Sequence, residues 1–210
     1  VLAAASFSSE APVRVTRETR PQRAAGDGTG WQAARFTLHG LGPLQPPDPV
    51  LARGTLLAGA YRIDELLAQG GMGVVYLAWD LQLERQVAVK MLLSTHAADP
   101  YVANLFRQEA IAMASVRHSN VVQIFTTGLH GTLPFFVMEY VAGQTVADLI
   151  REANGRGEVV ELLQASDILR QASQGLTAMS ACGLFHGDVK PANMLINAEH
   201  QVMISDFGVV

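Results

Sequence analysis

From Tyr61 onward the chain alternates short apolar runs with polar turns. "YRIDELLA" (61–68) and "VVYLAWD" (74–80) flank a glycine-rich segment and predict two strands; "RQVAVKML" (85–92) predicts a third. The pattern then changes period. In "PYVANLFRQEAIAMASV" (100–116), Val102, Leu105, Glu109, Ala112 and Val116 recur at three- and four-residue steps, which predicts a helix with those positions on its core face. "NVVQIFTTG" and "LPFFVMEYVAG" return to strand-like apolar runs. A long helix is predicted over 162–181, with Leu162, Leu169, Leu176 and Met179 on one stripe. A polar loop, an apolar pair at Leu195–Ile196 and the run "QVMISDFG" close the sequence. Strands with one helix, followed by mostly helix, predict an α+β chain in two lobes.

Residues 1–55 lack this patterning. "RVTRETRPQRAAGDGTG" and "GPLQPPDPV" are rich in Pro, Gly, Arg and small residues and read as a loosely ordered linker, with a short strand expected at "WQAARFTLHG". Six Arg against four acidic residues give the first 60 positions a charge of +2, the balance of a solvated linker or of a basic arm.

Composition narrows the picture. The formal net charge of -4 gives no electrostatic basis for nucleic acid as the main partner. A single cysteine, Cys182, rules out an internal disulfide framework and suits a reducing compartment, so a cytoplasmic location is expected. No run approaches the ~20 apolar residues of a membrane helix. Of 15 basic residues only two are Lys, at 90 and 190. In so Arg-rich a background, a Lys suggests a site that needs a compact point charge instead of a planar fork.

Four motifs carry chemistry. In "AQGGMGVV" (68–75) a glycine turn lies between two strand runs, so backbone N–H groups can approach phosphate oxygens unobstructed. A Rossmann turn would open a helix instead. In "VAVK", Lys90 ends an apolar run; buried, it needs a partner, and Glu109 on the apolar helix stripe is the candidate. In "FHGDVKPANML" (185–195), Asp188 can accept or orient a hydroxyl proton, Lys190 can neutralise a transferring phosphate, and Asn193 can offer oxygen to Mg2+. Asp206 in "SDFG" follows an apolar run, where a bound metal ion would offset the cost of a lone carboxylate.

Together and in this order, these motifs make residues 61–208 resemble a protein kinase, most closely the bacterial (Hanks-type) serine/threonine kinases with "GGMGVVY" and "DVKPAN". The resemblance implies a two-lobed kinase-like fold: a complete small lobe over 56–141 and a partial large lobe over 142–210. It implies ATP with Mg2+ (or Mn2+) as cofactors and phosphoryl transfer to Ser/Thr hydroxyls of protein substrates. By the same resemblance, Gly70, Gly71, Met72 and Gly73 would lie over the phosphates. Lys90 would bind them while paired with Glu109. Leu67, Val75, Ala88 and Leu195 would hold the base, beside Met138 as gatekeeper and the backbone of Glu139 and Val141. Asp188 would orient the acceptor, Lys190 would sit at the γ-phosphate, and Asn193 and Asp206 would hold the metal. Met113, Ile124, His186 and Phe207 would stack as a spine. Dimerisation through the small lobe is a further expectation.

Three departures stand out. Ala68 replaces the first glycine of the loop, which should stiffen the flap. Gly187 replaces an Arg that commonly receives an activation-loop phosphate, so gating by that route would lack its receiver. The sequence stops at Val210, two residues after "DFG", so a fragment of a longer protein with little catalysis of its own is expected. Two alternatives follow. Ala68 and the end at Val210 suggest a non-catalytic nucleotide-binding scaffold, a pseudokinase. "HGD" suggests a small-molecule phosphotransferase of the aminoglycoside- or choline-kinase type, which Lys190, "DFG" and "GGMGVVY" oppose.

Overall fold

The structure, a computed structural model, describes residues 50–206. Residues 1–49 of the linker expected over 1–55, the strand expected at "WQAARFTLHG", and Phe207 lie outside the described residues; within 50–55, Leu51 packs on the core instead.

Six antiparallel strands form the first sheet, in the order β1-β2-β3-β4-β6-β5. They are β1 (Leu56–Leu57), β2 (Tyr61–Gln69), β3 (Gly73–Asp80), β4 (Arg85–Leu92), β5 (Ile124–His130) and β6 (Leu133–Glu139). The two-residue alternation of strands sends successive side chains to opposite faces. In β4, Val87, Val89 and Met91 join Tyr76, Phe135 and Val137 on one face. Ala88 and Leu92 join Phe106, Phe136 and Met138 on the other. Both faces are therefore buried, which is why these strands read as near-continuous apolar runs. Each such Val, Leu or Phe contributes about 1.5–3 kcal/mol when fully buried. Lys90 falls on the second face, opposite Val75 and Phe136 in the ladder.

Ahead of the sheet, Leu51 packs on the first-face core and its N–H donates to the Tyr76 hydroxyl (3.1 Å). After β4, a short helix α1 (Ser94–Ala97) leads into α2 (Pro100–Ala114). Asp99 caps α2 by accepting from the Tyr101 N–H, and Pro100 takes the first turn, where a missing N–H costs nothing. The helix is found as expected, but its buried centre is Phe106, Ala110 and Met113. The anticipated stripe forms one flank of a broader face.

Beyond β6 come β7 (Gly143–Thr145), α3 (Val146–Gly155), α4 (Leu162–Ala181), a 3-10 turn (Pro191–Asn193), β8 (Met194–Asn197) and β9 (Val202–Ile204). The three strands form a second sheet, β7-β8-β9. Sequence patterning did not separate α3, which starts at a capping box: Thr145 accepts from the Asp148 N–H, and Asp148 accepts from the Thr145 N–H.

The stripe expected on α4 holds at Leu176 and Met179, which pack in the core, and is corrected at Leu162 and Leu169. Leu162 is 80% and Leu169 66% exposed, while Ile168, Gln171, Ala172, Gly175 and Met179 are buried. Helix α4 faces β9 through small residues and one amide. A Cβ on Gly175 would lie 2.5 Å from the Asn120 carbonyl oxygen, so only glycine permits this approach. Gln171 accepts from the Asn120 side chain (3.0 Å) and from the Val202 N–H (2.9 Å), and it donates to Asp167 and to the His200 carbonyl. Counting partners, not hydrophobicity, explains why a Gln displaces a Leu from the interior.

Candidate active site

A cleft of about 280 Å3 lies beneath β2 and β3. Its apolar walls come from Leu67, Val75, Ala88, Met138, Val141 and Leu195, all expected around a base, and Glu139 borders it as well. Val141 marks the crossing out of the first sheet, and its N–H makes no hydrogen bond among the described residues. The Glu139 N–H, in contrast, is committed to the Gln123 carbonyl (2.9 Å). Ala68 also lines the cleft. Its backbone is not among the positive-φ positions, so alanine is accommodated there without strain. Patterning missed Thr145 and Asp148 on the cleft rim; the T-x-x-D spacing was the signal that could have found them. A larger cavity of about 430 Å3, between α2 and the β5–β6 hairpin, holds none of the expected site residues.

Lys90 stands next to the cleft, bonded to its lining residue Asp206. Its Nζ lies 2.9 Å from Asp206 Oδ1 and 3.7 Å from Glu109 Oε1. The expected pair with Glu109 is present as an ion pair but is too long for a hydrogen bond, and that oxygen has no hydrogen-bond partner among the described residues. Burial draws the Lys90 ammonium down, but the charges of Asp206 and Glu109 outweigh it and hold it above the ordinary lysine value. Burial pushes the Glu109 carboxyl up to about 7; the Lys90 charge opposes this and the Asp206 charge adds to it. Asp206 adopts φ 52°, a left-handed conformation that Asp tolerates better than most residues.

The loop at 185–193 reaches the cleft lining through Ala192 and carries its polar groups outside that lining. Lys190 Nζ donates to Asp188 Oδ2 (2.6 Å), and this bond, against slight desolvation, holds the Asp188 carboxyl below its usual range. The Asn193 amide nitrogen donates to the Asp188 carbonyl (3.0 Å), Asp188 Oδ2 (3.1 Å) and the Asp206 carbonyl (3.2 Å). These acceptors, shared between two N–H groups, fix which end of the amide is nitrogen. That single side chain ties the loop to the Asp206 segment. His186 reinforces the tie. Its Nδ1 accepts from the Asp188 N–H (3.3 Å), so Nε2 is the protonated nitrogen and donates to the Ser205 carbonyl (3.1 Å). Gly187 between them has φ 74°. A glycine enters this conformation without the Cβ penalty, which the sequence, where only a missing Arg was visible, did not reveal.

The residues expected to bind metal fit that role. Among the described residues no cluster of three or more His, Cys, Asp or Glu could hold an ion alone. Asp206 and Asn193 offer one carboxylate and one amide oxygen, a donor set suited to Mg2+, which takes its other ligands from water and phosphate. Of the expected spine, Met113 and Ile124 share one core cluster and His186 is 4% exposed.

With this geometry in hand, the relationship to known proteins is plain. The protein kinase domain family matches residues 61–210. The chain belongs to that family. It is 36% identical over 156 residues to a probable serine/threonine-protein kinase of Clostridium acetobutylicum, covering 74% of this chain and 23% of that protein. It is 39% identical over 157 residues to the serine/threonine-protein kinase PknB of Mycobacterium tuberculosis, covering 73% and 24%. The crystal structure of the Mycobacterium tuberculosis PknI kinase domain superposes with a TM-score of 0.66 at 26% identity, covering 77% of this chain and 62% of that one. The chain thus spans about a quarter of the length of the curated relatives it matches.

Proposed function

We propose that this chain carries the nucleotide site and catalytic loop of a serine/threonine protein kinase that transfers the γ-phosphoryl group of ATP to protein hydroxyls. The observation that carries this reading is one chain of contacts, from Glu109 and Lys90 to Asp206 and on through Asn193 to Asp188 and Lys190, that meets an apolar cleft at Asp206. Phosphoryl transfer asks for positioning and charge neutralisation more than for covalent chemistry, and these groups supply both. The apolar walls take the base. Lys90 releases Asp206 and meets phosphate oxygens. Asp188, 46% exposed, orients the acceptor hydroxyl, and Lys190, held 2.6 Å from it, is placed to follow the charge onto the transferred group. Asp206 and Asn193 would hold Mg2+, which when bound would supply neutralisation of phosphate charge. Serine and threonine acceptors, rather than tyrosine, are supported by Lys190 two residues after Asp188, which resembles the serine/threonine form of this loop. One free cysteine and a need for ATP support a cytoplasmic location.

The test is Mg-ATP binding by calorimetry to this chain, together with transfer of labelled phosphate to casein by the whole protein. Wild type should bind and transfer; Lys90→Met and Asp206→Asn should lose transfer by at least about a thousandfold, the scale of removing main electrostatic contributors. Transfer that survives either substitution would overturn the reading.

A further inference from the structure

The tip of the glycine turn is held from one side only. The Gly71 carbonyl lies 2.9 Å from His96 Nε2. The Met72 carbonyl accepts from the Leu93 N–H at 3.1 Å, extending the β3–β4 ladder by one bond. A Cβ on Gly73 would lie 2.6 Å from the Met91 carbonyl oxygen, so the turn presses directly on the end of β4. A carbonyl can only accept, so His96 is the donor through Nε2–H. The Leu93 bond is main-chain and independent of side-chain identity. His96 is therefore the side chain that fixes the tip.

We infer that His96 is a positioning residue for the nucleotide phosphates: it anchors the glycine turn to the β4–α2 connection. The inference rests on the nucleotide reading given above. In a planar trans peptide the C=O and N–H point in opposite directions, and no cis bond occurs among the described residues. Holding the Gly71 and Met72 carbonyls against residues 93–96 therefore directs the N–H groups of Met72 and Gly73 to the other face of the turn. Those are the donors a phosphate needs. The anchor has a second consequence. Asp99, three residues after His96, caps α2, and α2 carries Glu109. One short connection thus sets the height of the flap and the start of the helix that partners Lys90.

The experiment compares wild type, His96→Ala and His96→Gln for binding of Mg-ATP and of adenosine by calorimetry, with amide hydrogen exchange of residues 69–74 in ligand-free protein. One hydrogen bond of ordinary strength corresponds to an Mg-ATP affinity lower by about 3- to 10-fold in His96→Ala. Adenosine affinity should not change, because adenosine carries no phosphate to meet the turn. His96→Gln, whose amide can donate from a similar reach, should recover most of the loss, and exchange at the turn should be faster in His96→Ala alone. Unchanged Mg-ATP affinity in His96→Ala, or equal weakening of Mg-ATP and adenosine, would overturn the inference while leaving the nucleotide site standing. Wild type that binds neither ligand would overturn the nucleotide reading, and this inference with it.

Discussion

The two lysines of this chain, each paired with a carboxylate, make different compromises with water. Lys90 extends from a strand buried on both faces, and its side chain is 18% exposed between two carboxylates. Lys190 stands on a loop, 52% exposed, against a single carboxylate. Around Lys90 the protein has removed water and must supply the compensating charge itself; Glu109, with an oxygen lacking a hydrogen bond, is where that compensation is incomplete. Around Lys190 solvent does most of that work. The site at Lys90 therefore couples chemistry to folding, and the one at Lys190 can be changed at little cost to the fold.

That contrast is most directly broken by deleting the Lys90 cation. Lys90→Ala leaves Glu109 and Asp206 facing each other without a counter-charge. We expect a loss of about 3 kcal/mol, the low end for a broken buried pair because Asp206 is 40% exposed, read as a lower urea midpoint at unchanged m-value. Should Lys90→Ala unfold at the wild-type midpoint, Lys90 does not offset buried carboxylate charge.

The next effect is one of pH. Glu109 titrates near 7 in the folded state, above the ordinary 4.5 of an unfolded chain. Between those values the unfolded state has released a proton that the folded state still holds, so stability falls as pH rises from about 4.5 to 7 and is level above. Lys90, raised above its ordinary 10.5, acts the other way: its contribution is present below that pH and is lost as pH rises through the folded value. In unfolding measurements at pH 5 and pH 7.5, wild type should lose stability relative to Glu109→Gln. Parallel pH profiles for the two proteins would remove Glu109 as the cause.

Smaller again is the backbone of the loop at 185–193. With φ 74° at Gly187, Gly187→Ala should cost about 1 kcal/mol, and Gly187→Arg a similar amount even though it restores the residue common in the family. If Gly187→Arg were neutral, its guanidinium would have found a compensating partner. Smallest is Lys190→Ala, for which no change in melting temperature is expected while phosphate transfer by the whole protein collapses. A melting shift comparable to that of Lys90→Ala would erase the distinction between the two lysines.

Much of this could be read from the sequence wherever one side chain's burial and one partner settle the matter. Strands buried on both faces announce themselves as apolar runs, and a Glu on an apolar helix stripe points to a buried cation. The limits appear where three-dimensional proximity decides. Leu162 and Leu169 suggested the inner face of α4, but that face is selected by Gly175, which permits contact with the Asn120 carbonyl, and by Gln171, which satisfies several groups at once. The bond from Lys90 to Asp206 spans 116 positions and had no local signal. His96, in the unremarkable "LLSTHAAD", had none either.

The family match begins at Tyr61, yet the described core packing reaches back to Leu51. Leu51 and Leu57 cover the upper surface of the sheet, where Leu57 is 0% and Tyr76 1% exposed. A protein excised at the first matched residue would leave Ile63, Tyr76 and Val89 open to solvent and the Tyr76 hydroxyl without its donor. Such an excised form should self-associate through that bare surface, and anyone choosing where to cut this gene for expression should leave residues 50–60 attached.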